Sequence, residues 1–236
     1  MKNTQYGDYT YNSPSFIRRS THQLRLKRSL KTLNLSDNDT ILDYGAGDGY
    51  FATLLNKEKC NNITCYEPMN EQYEQMKFLL SDFSNIHKTN SIDKISNQSF
   101  TKIFCLEVLE HLPEEQLNTS LKTIYELLEK NGKVLLTVPC ESGSSGFIKN
   151  SIKKTIDKNK TYSYKDLWNI AFNKKRVERI IKHSDTTPYI YEHFGFNNIQ
   201  FEDYLIANNF KIERKINFPL KYISIFSSQV FYVLSK

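Results

Sequence analysis

A chain of 236 residues, 39% hydrophobic and 25% charged, can bury one substantial core, or one core with a sizeable insertion. Fifteen Tyr and fifteen Phe exclude a disordered chain. No stretch reaches the roughly 18 uninterrupted apolar residues of a membrane span, and residues 1–16 lack the apolar core of a signal peptide. The net charge of +6 is unevenly placed. Residues 16–31 hold six basic side chains (Arg18, Arg19, Arg25, Lys27, Arg28, Lys31) and no acid, and residues 148–183 hold eleven basic and three acidic ones, so the rest of the chain carries −8. Such segments are either solvated helix faces or attractors of an anionic partner. Four cysteines are too few and too scattered for a disulfide framework, and Cys60 and Cys65 lack zinc spacing. Reduced structural thiols and a cytoplasmic location are therefore expected.

In chain order, residues 40–44 form a short apolar strand and residues 50–57 a helix. Residues 63–67 make a second strand. A helix follows with Tyr73, Met76 and Leu80 on one face. Ile86 marks a third strand and residues 102–106 a fourth. Pro113 suits the first turn of a helix whose buried stripe is Leu117, Leu121, Ile124 and Leu128, with Asn131-Gly132 ending it. Residues 133–138 are a near-continuous apolar run, as in a strand covered on both faces. Alternating β and α units of this length predict a doubly wound, mostly parallel sheet. After Pro139 comes a Ser/Gly-rich loop over 141–146. The basic segment beyond it reads as helical. Ser163-x-x-Asp166 resembles a capping box, and Leu167, Ile170, Ala171, Ile180 and Ile181 offer an apolar stripe. Residues 201–208 are a predicted helix, and 210–216 and 229–234 a predicted antiparallel pair at the sheet edge.

The first strand runs into Gly45-x-Gly47-x-Gly49 and then into a helix. Glycines there allow a tight turn and close approach of backbone to a ligand. Glu67, twenty residues after Gly47 at the end of the next strand, can accept hydrogen bonds from two ribose hydroxyls. A dinucleotide site would want its third glycine at position 50, which is Tyr50; here it falls at 49. That spacing resembles motif I of the class I S-adenosylmethionine (SAM)-dependent methyltransferases. The likeness continues in Glu67-Pro68, in the Val108-Leu-Glu-His-Leu112 run after the fourth strand, and in residues 127–139 as the fifth strand. It covers about residues 38–140.

The resemblance implies a Rossmann-like α/β domain with a seven-stranded, mostly parallel sheet over residues 1–236. It would carry a basic helical extension at 1–35 and a basic helical cap insertion at 141–196. It implies SAM as cofactor and S-adenosylhomocysteine (SAH) as product. Asp43, Gly45, Ala46 and Gly47 would surround the methionine part and Glu67 the ribose. Pro68 and Met69 would pack on the adenine. Asn90-Ser91 stand where the family often has an Asp contacting the adenine amino group. Leu106 and Glu107 would line the cofactor near its reactive methyl. Methyl transfer to oxygen also needs a base, for which His111 and His193 are the candidates.

Two further resemblances bear on the acceptor. Glu192-His193 through Phe210-Lys-Ile is similar to a stretch of bacterial methyltransferases that act on glycans, which points to a small anionic acceptor such as a sugar, nucleotide sugar or lipid-linked glycan. Glu107-x-x-Glu110-His111 is similar to small-RNA 2′-O-methyltransferases, in which these positions plus a later His (here His193) would hold a divalent metal. The leading expectation is a metal-free O-methyltransferase of a small acceptor. The alternatives are a metal-dependent RNA 2′-O-methyltransferase, a quinone-pathway O-methyltransferase in peripheral contact with a membrane through its basic helix, and a non-catalytic SAM-binding scaffold.

Overall fold

The computed structural model describes residues 16–58, 60–141, 143–156, 162–172, 179, 181–183, 188–219 and 227–236. Its main sheet has seven strands in the order β3-β2-β1-β4-β5-β9-β8, mostly parallel with one antiparallel edge pair. They are β1 (Thr40–Tyr44), β2 (Asn62–Tyr66), β3 (Ile86–Thr89), β4 (Phe100–Leu106), β5 (Leu128–Pro139), β8 (Lys211–Phe218) and β9 (Gln229–Ser235). The helices are α1 (Phe16–Thr32), α2 (Tyr50–Lys57), α3 (Asn70–Leu79), α4 (Glu114–Leu127), α5 (Gly143–Ile156), α6 (Tyr164–Phe172) and α7 (Asn198–Ala207). A separate small sheet pairs β6 (Lys182–His183) with β7 (Pro188–Tyr189) in antiparallel fashion. This is the expected doubly wound α/β fold. No helix among the described residues is long and apolar enough to cross a membrane.

The chain divides into two compact units. The first comprises the described residues up to Leu106, Glu126–Leu135 and the last two residues. Ile41, Leu42, Ile63, Ile103 and Phe104 from its strands are buried with Leu55, Met76 and Leu80, and Phe51 meets Phe104 edge to face at 5.1 Å. β1 and β2 pair in parallel with Tyr44 opposite Tyr66, and β2 and β3 with Tyr66 opposite Thr89. Gly45, Glu67 and Asn90 are therefore the next residues beyond three aligned carboxyl ends. The second unit comprises Glu107–Tyr125 and Leu136–Leu234. Its core includes Leu117, Leu121, Ile124, Phe201, Leu205, Phe231 and Tyr232.

Several local expectations shift. The stripe Leu117, Leu121, Ile124 and Leu128 is buried as predicted, yet Asn131-Gly132 does not end α4. The helix stops at Leu127 and the chain enters β5 at once. Gly132 instead lies inside β5, where a Cβ would meet Leu128 Cδ1 at 2.7 Å and the Phe100 carbonyl oxygen at 3.0 Å; the glycine serves close packing inside a strand. The Ser/Gly-rich loop after Pro139 is largely the first turn of α5, with Gly146 packed so tightly that a Cβ would lie 1.9 Å from the Glu141 carbonyl oxygen. The capping box of α6 forms: Ser163 N–H donates to Asp166 Oδ2 at 2.7 Å, and Asp166 N–H donates to Ser163 Oγ at 3.1 Å. Leu167 and Ala171 are buried as expected, but Ile181 is exposed and outside any helix. Ile180 and residues 1–15 of the basic extension lie outside the described residues. The four cysteines are buried and form no disulfide.

Gly49 caps α2 at φ 83°, and a Cβ there would sit 2.8 Å from Leu80 Cδ1 and 2.9 Å from Met76 Cγ. Gly49→Ala is therefore expected to destabilise the protein by about 2–4 kcal/mol, through left-handed strain plus overpacking. Chemical denaturation of the two proteins side by side checks it; equal midpoints would refute the packing argument.

Candidate functional site

At the carboxyl ends of β1 and β4 the first unit holds an open cavity of about 430 Å³, its solvent-filled mouth included. Ligands in doubly wound sheets bind where neighbouring strands lead off in opposite directions, and β1 and β4 are that pair. The lining comes from the glycine loop (Gly45, Ala46, Asp48), from Asp43, Tyr50, Phe51 and Leu106, and from His22, Arg25 and Leu26 of α1. Of the residues expected from the sequence, Asp43, Gly45, Ala46 and Leu106 thus meet in one place. His22, Arg25 and Tyr50 join them without a sequence signal for this place; Arg25 stands in the sequence only as part of a basic run.

The loop's shape follows from its hydrogen bonds. Gly45, Gly47 and Gly49 all have positive φ, which lets successive amides turn inward. The N–H groups of Gly45 and Ala46 both donate to the Tyr66 carbonyl, at 2.8 and 3.0 Å. Gly47 N–H donates to Glu67 Oε2 at 2.8 Å, and Met69 N–H to Glu67 Oε1 at 2.9 Å. Glu67 therefore ties the loop after β1 to the chain entering α3. Each carboxylate oxygen keeps a second lone pair for a ligand hydroxyl. A Cβ on Gly47 would meet nothing within 4 Å, so the loop's open face is there. Pro68 and Met69 are half-buried beside Glu67, as are Asn90 and Ser91 after β3. Ser91 N–H donates to Thr89 Oγ1 at 3.1 Å, which fixes that turn.

The cavity is electrostatically incomplete. Asp43 is 2% exposed and its Oδ2 finds no hydrogen-bond partner among the described residues. Burial first, then the charges of Glu67 and Asp48, push its pKa up to about 7. Burial also pushes Glu67 up to about 7, against the opposing effect of its two backbone donors. A cation bound beside these carboxyl groups would favour their charged forms.

The second unit gathers the other candidates. Glu110 and His111 lie on a single 3₁₀ turn, Leu109–His111. The Ile190 carbonyl, which can only accept, is 2.6 Å from His111 Nδ1, so the ring proton is on Nδ1 and Nε2 keeps its lone pair. Burial lowers the His111 pKa, with the Ile190 bond opposing and the Arg179 charge assisting. Its ring stacks on Tyr189 at 4.6 Å and lies 4.8 Å from that of His193. Glu110 is fully buried, with Oε1 3.8 Å from His111 Nε2 and 3.6 Å from His193 Nδ1. Ligand atoms of Glu110, His111 and His193 all lie within 4.8 Å of one another. Glu107 does not join them: its Oε2 accepts from Gln229 Nε2 at 2.8 Å, and its backbone, at φ 59°, donates to the Thr137 carbonyl at 3.0 Å.

Residues 14–200 match the family model described as a methyltransferase domain. No curated protein matches the chain in sequence. Among solved structures, the chain is similar in fold to the methyltransferase domain of a bacterial Hen1, CtHen1 (16% identity, 92% of this chain and 100% of that one, TM-score 0.61). It is also similar to magnesium protoporphyrin IX methyltransferase from Synechocystis PCC 6803 with bound SAH (13% identity, 94% and 88%, TM-score 0.60). A third likeness is to a TehB-like SAM-dependent methyltransferase from Corynebacterium glutamicum (15% identity, 90% and 85%, TM-score 0.56).

The raised pKa values of Asp43 and Glu67 have a consequence for stability. A carboxyl group whose folded pKa lies above its unfolded value of about 4 contributes stability at low pH and loses it as pH rises through about 7. Asp43→Asn should therefore raise the unfolding midpoint of the ligand-free protein at pH 8 relative to wild type and flatten the decline between about pH 4 and 7. Parallel slopes in thermal unfolding would show that Asp43 is not the strained group.

Proposed function

We propose, from the premise that the chain belongs to the methyltransferase domain family and uses SAM, that it methylates an oxygen of a small anionic acceptor, with His193 removing the acceptor's proton. SAM supplies a methyl group already activated on a sulfonium, so the protein's task is to bind, align and exclude water. The cavity over the glycine loop suits SAM by charge: the unsatisfied Asp43 faces a space where a sulfonium and an ammonium would supply the missing cation. Glu67 would take the ribose hydroxyls, Pro68 and Met69 the adenine, and Asn90-Ser91 the adenine edge.

The observation that carries the choice of oxygen is the Glu110–His193 pair. A fully buried carboxylate beside Nδ1 stabilises the imidazolium that forms when the ring's other nitrogen takes a proton. The His193 side chain is 36% exposed and that of His111 12%, so His193 is the ring an acceptor can reach. His111, kept neutral by burial and held in one tautomer by the Ile190 carbonyl, holds the pair in place. The basic residues within 148–183 favour an acceptor with phosphate or carboxylate groups.

A second reading uses the same atoms. Glu110, His111 and His193 converge closely enough to share a divalent cation. The acceptor would then be the 2′-hydroxyl of an RNA end, and the fold likeness to the Hen1 methyltransferase domain fits that reading. Two imidazoles and one carboxylate suit several divalent metals, but Glu107, expected as a fourth ligand, is engaged through one oxygen with Gln229.

Turnover assays reading SAH release separate the two. Offered nucleotide sugars, phosphorylated sugars, quinone precursors and short RNAs, the enzyme is expected to methylate a phosphorylated sugar equally well with and without EDTA. Activity confined to RNA and restored by manganese would replace the first reading with the second. His193→Gln should lower kcat about 10²–10⁴-fold while leaving SAM affinity unchanged, and His111→Gln should cost less. Glu67→Ala should weaken SAM binding by about 1–3 kcal/mol in calorimetry; an unchanged affinity would remove its ribose role.

A further inference from the structure

The helical segment after β5 presents an aromatic face that neither the glycine-loop cavity nor the Glu110–His193 pair uses. On α6, Leu167 and Ala171, four positions apart, are buried. Tyr164, Trp168 and Phe172 recur at the same spacing beside them and point outward, 54%, 54% and 46% exposed. Large apolar side chains clustered at a surface mark a contact with something other than water. These rings also pack on one another. Trp168 lies 4.6 Å from Phe172, and Phe147 of α5 lies 5.9 Å from each. Lys154 Nζ sits over the Tyr164 ring at 5.8 Å from its centre.

The charge around this face is one-sided. α5 carries Lys149, Lys153 and Lys154 and no acid. Lys165, which is exposed, is three positions before Trp168 and so flanks it. The one acid of α6, Asp166, accepts from the N–H and the hydroxyl of Ser163, both at 2.7 Å. Lys154 donates to the Tyr162 carbonyl, and Lys149 to Glu141 Oε1 at 2.7 Å. The face therefore offers apolar ring area and a positive field, neither of them directional. A nucleic-acid base needs an open ring face to stack on. Mutual packing takes up the faces of Phe147, Trp168 and Phe172, and an ammonium covers that of Tyr164. A second copy of the chain would bring like charge to like. An anionic bilayer surface answers both features, because Trp and Tyr rings settle at headgroup level and lysines meet the lipid phosphates.

We propose that the aromatic face of α6 docks on an anionic lipid bilayer. At nine residues, about 14 Å, the helix is too short to span and lies along the surface. Tyr162, just ahead of α6, stacks on Phe194 at 4.1 Å. Phe194 is next in sequence to His193, so the docked face is tied to the segment that carries the proposed base. The docking does not depend on which acceptor is methylated.

Trp168 is the single tryptophan of the chain, so its fluorescence reports this face alone. The full chain, mixed with phosphatidylcholine vesicles with or without phosphatidylglycerol, is read by co-sedimentation and by Trp168 emission. It should bind the vesicles that contain phosphatidylglycerol, with a blue shift as Trp168 leaves water and with release as salt rises. Phe172→Glu and Lys165→Glu should each weaken that binding about 10-fold or more, with circular dichroism unchanged. If Phe172→Glu folds poorly, Lys165→Glu, at an exposed side chain, decides alone. Absence of sedimentation with the anionic vesicles would overturn the proposal. Sedimentation with unchanged Trp168 emission would also overturn it, by moving the membrane contact to another surface such as α1. A Trp168 response to short single-stranded RNA, with none to vesicles, would give the face to nucleic acid instead.

Discussion

Glu67 accepts one backbone N–H on each oxygen, from Gly47 and from Met69, and the glycine loop that lines the cavity depends on that bridge. The parallel register that sets Tyr44 beside Tyr66 and Tyr66 beside Thr89 delivers the glycine loop, Glu67 and Asn90 to one edge of the sheet. The carboxylate then locks the first two together. Its burial shelters these bonds, and the same burial raises its pKa to about 7. Positioning the loop and destabilising the charge are two effects of one environment.

That environment explains why the cavity wants a cation. Asp43 is the penultimate residue of β1, just before the glycine loop, with Glu67 and Asp48 near enough to disfavour its charge. A low dielectric makes each of these repulsions larger than it would be in water. A cationic ligand relieves them, so part of its affinity is set before it arrives. On the side contributed by α1 the same cavity is lined by His22 and Arg25, whose side chains lie 2.6 Å apart.

The second unit solves a different problem with similar means. A fully buried Glu110 faces two imidazoles, one of which is held in a single tautomer by the Ile190 carbonyl. Reciprocal main-chain bonding, Ile190 N–H to the His111 carbonyl at 2.8 Å, makes this anchoring a two-point contact, so the ring cannot turn independently of the segment that carries His193.

Much of this was legible in the sequence. The short, near-continuous apolar runs and the 3.6-residue stripe of α4 pointed to strands and helix because local burial pattern and local conformation are the same constraint. The glycine spacing marked the tight loop after β1, since its left-handed residues are demanded by short-range backbone geometry. Where the sequence misled, the deciding contact was non-local. Gly132 packs against Phe100 within β5 and does not end a helix, and the 141–146 stretch coils into α5 because Gly146 can lie against Glu141. Glu107 is drawn to Gln229, 122 positions away. Residue types and spacing along one chain segment determined the fold class and the glycine loop. Only the tertiary structure decided that His22 and Arg25 face the cavity and that Glu110, His111 and His193 meet, because those groups are brought together by packing between elements that no local pattern encodes.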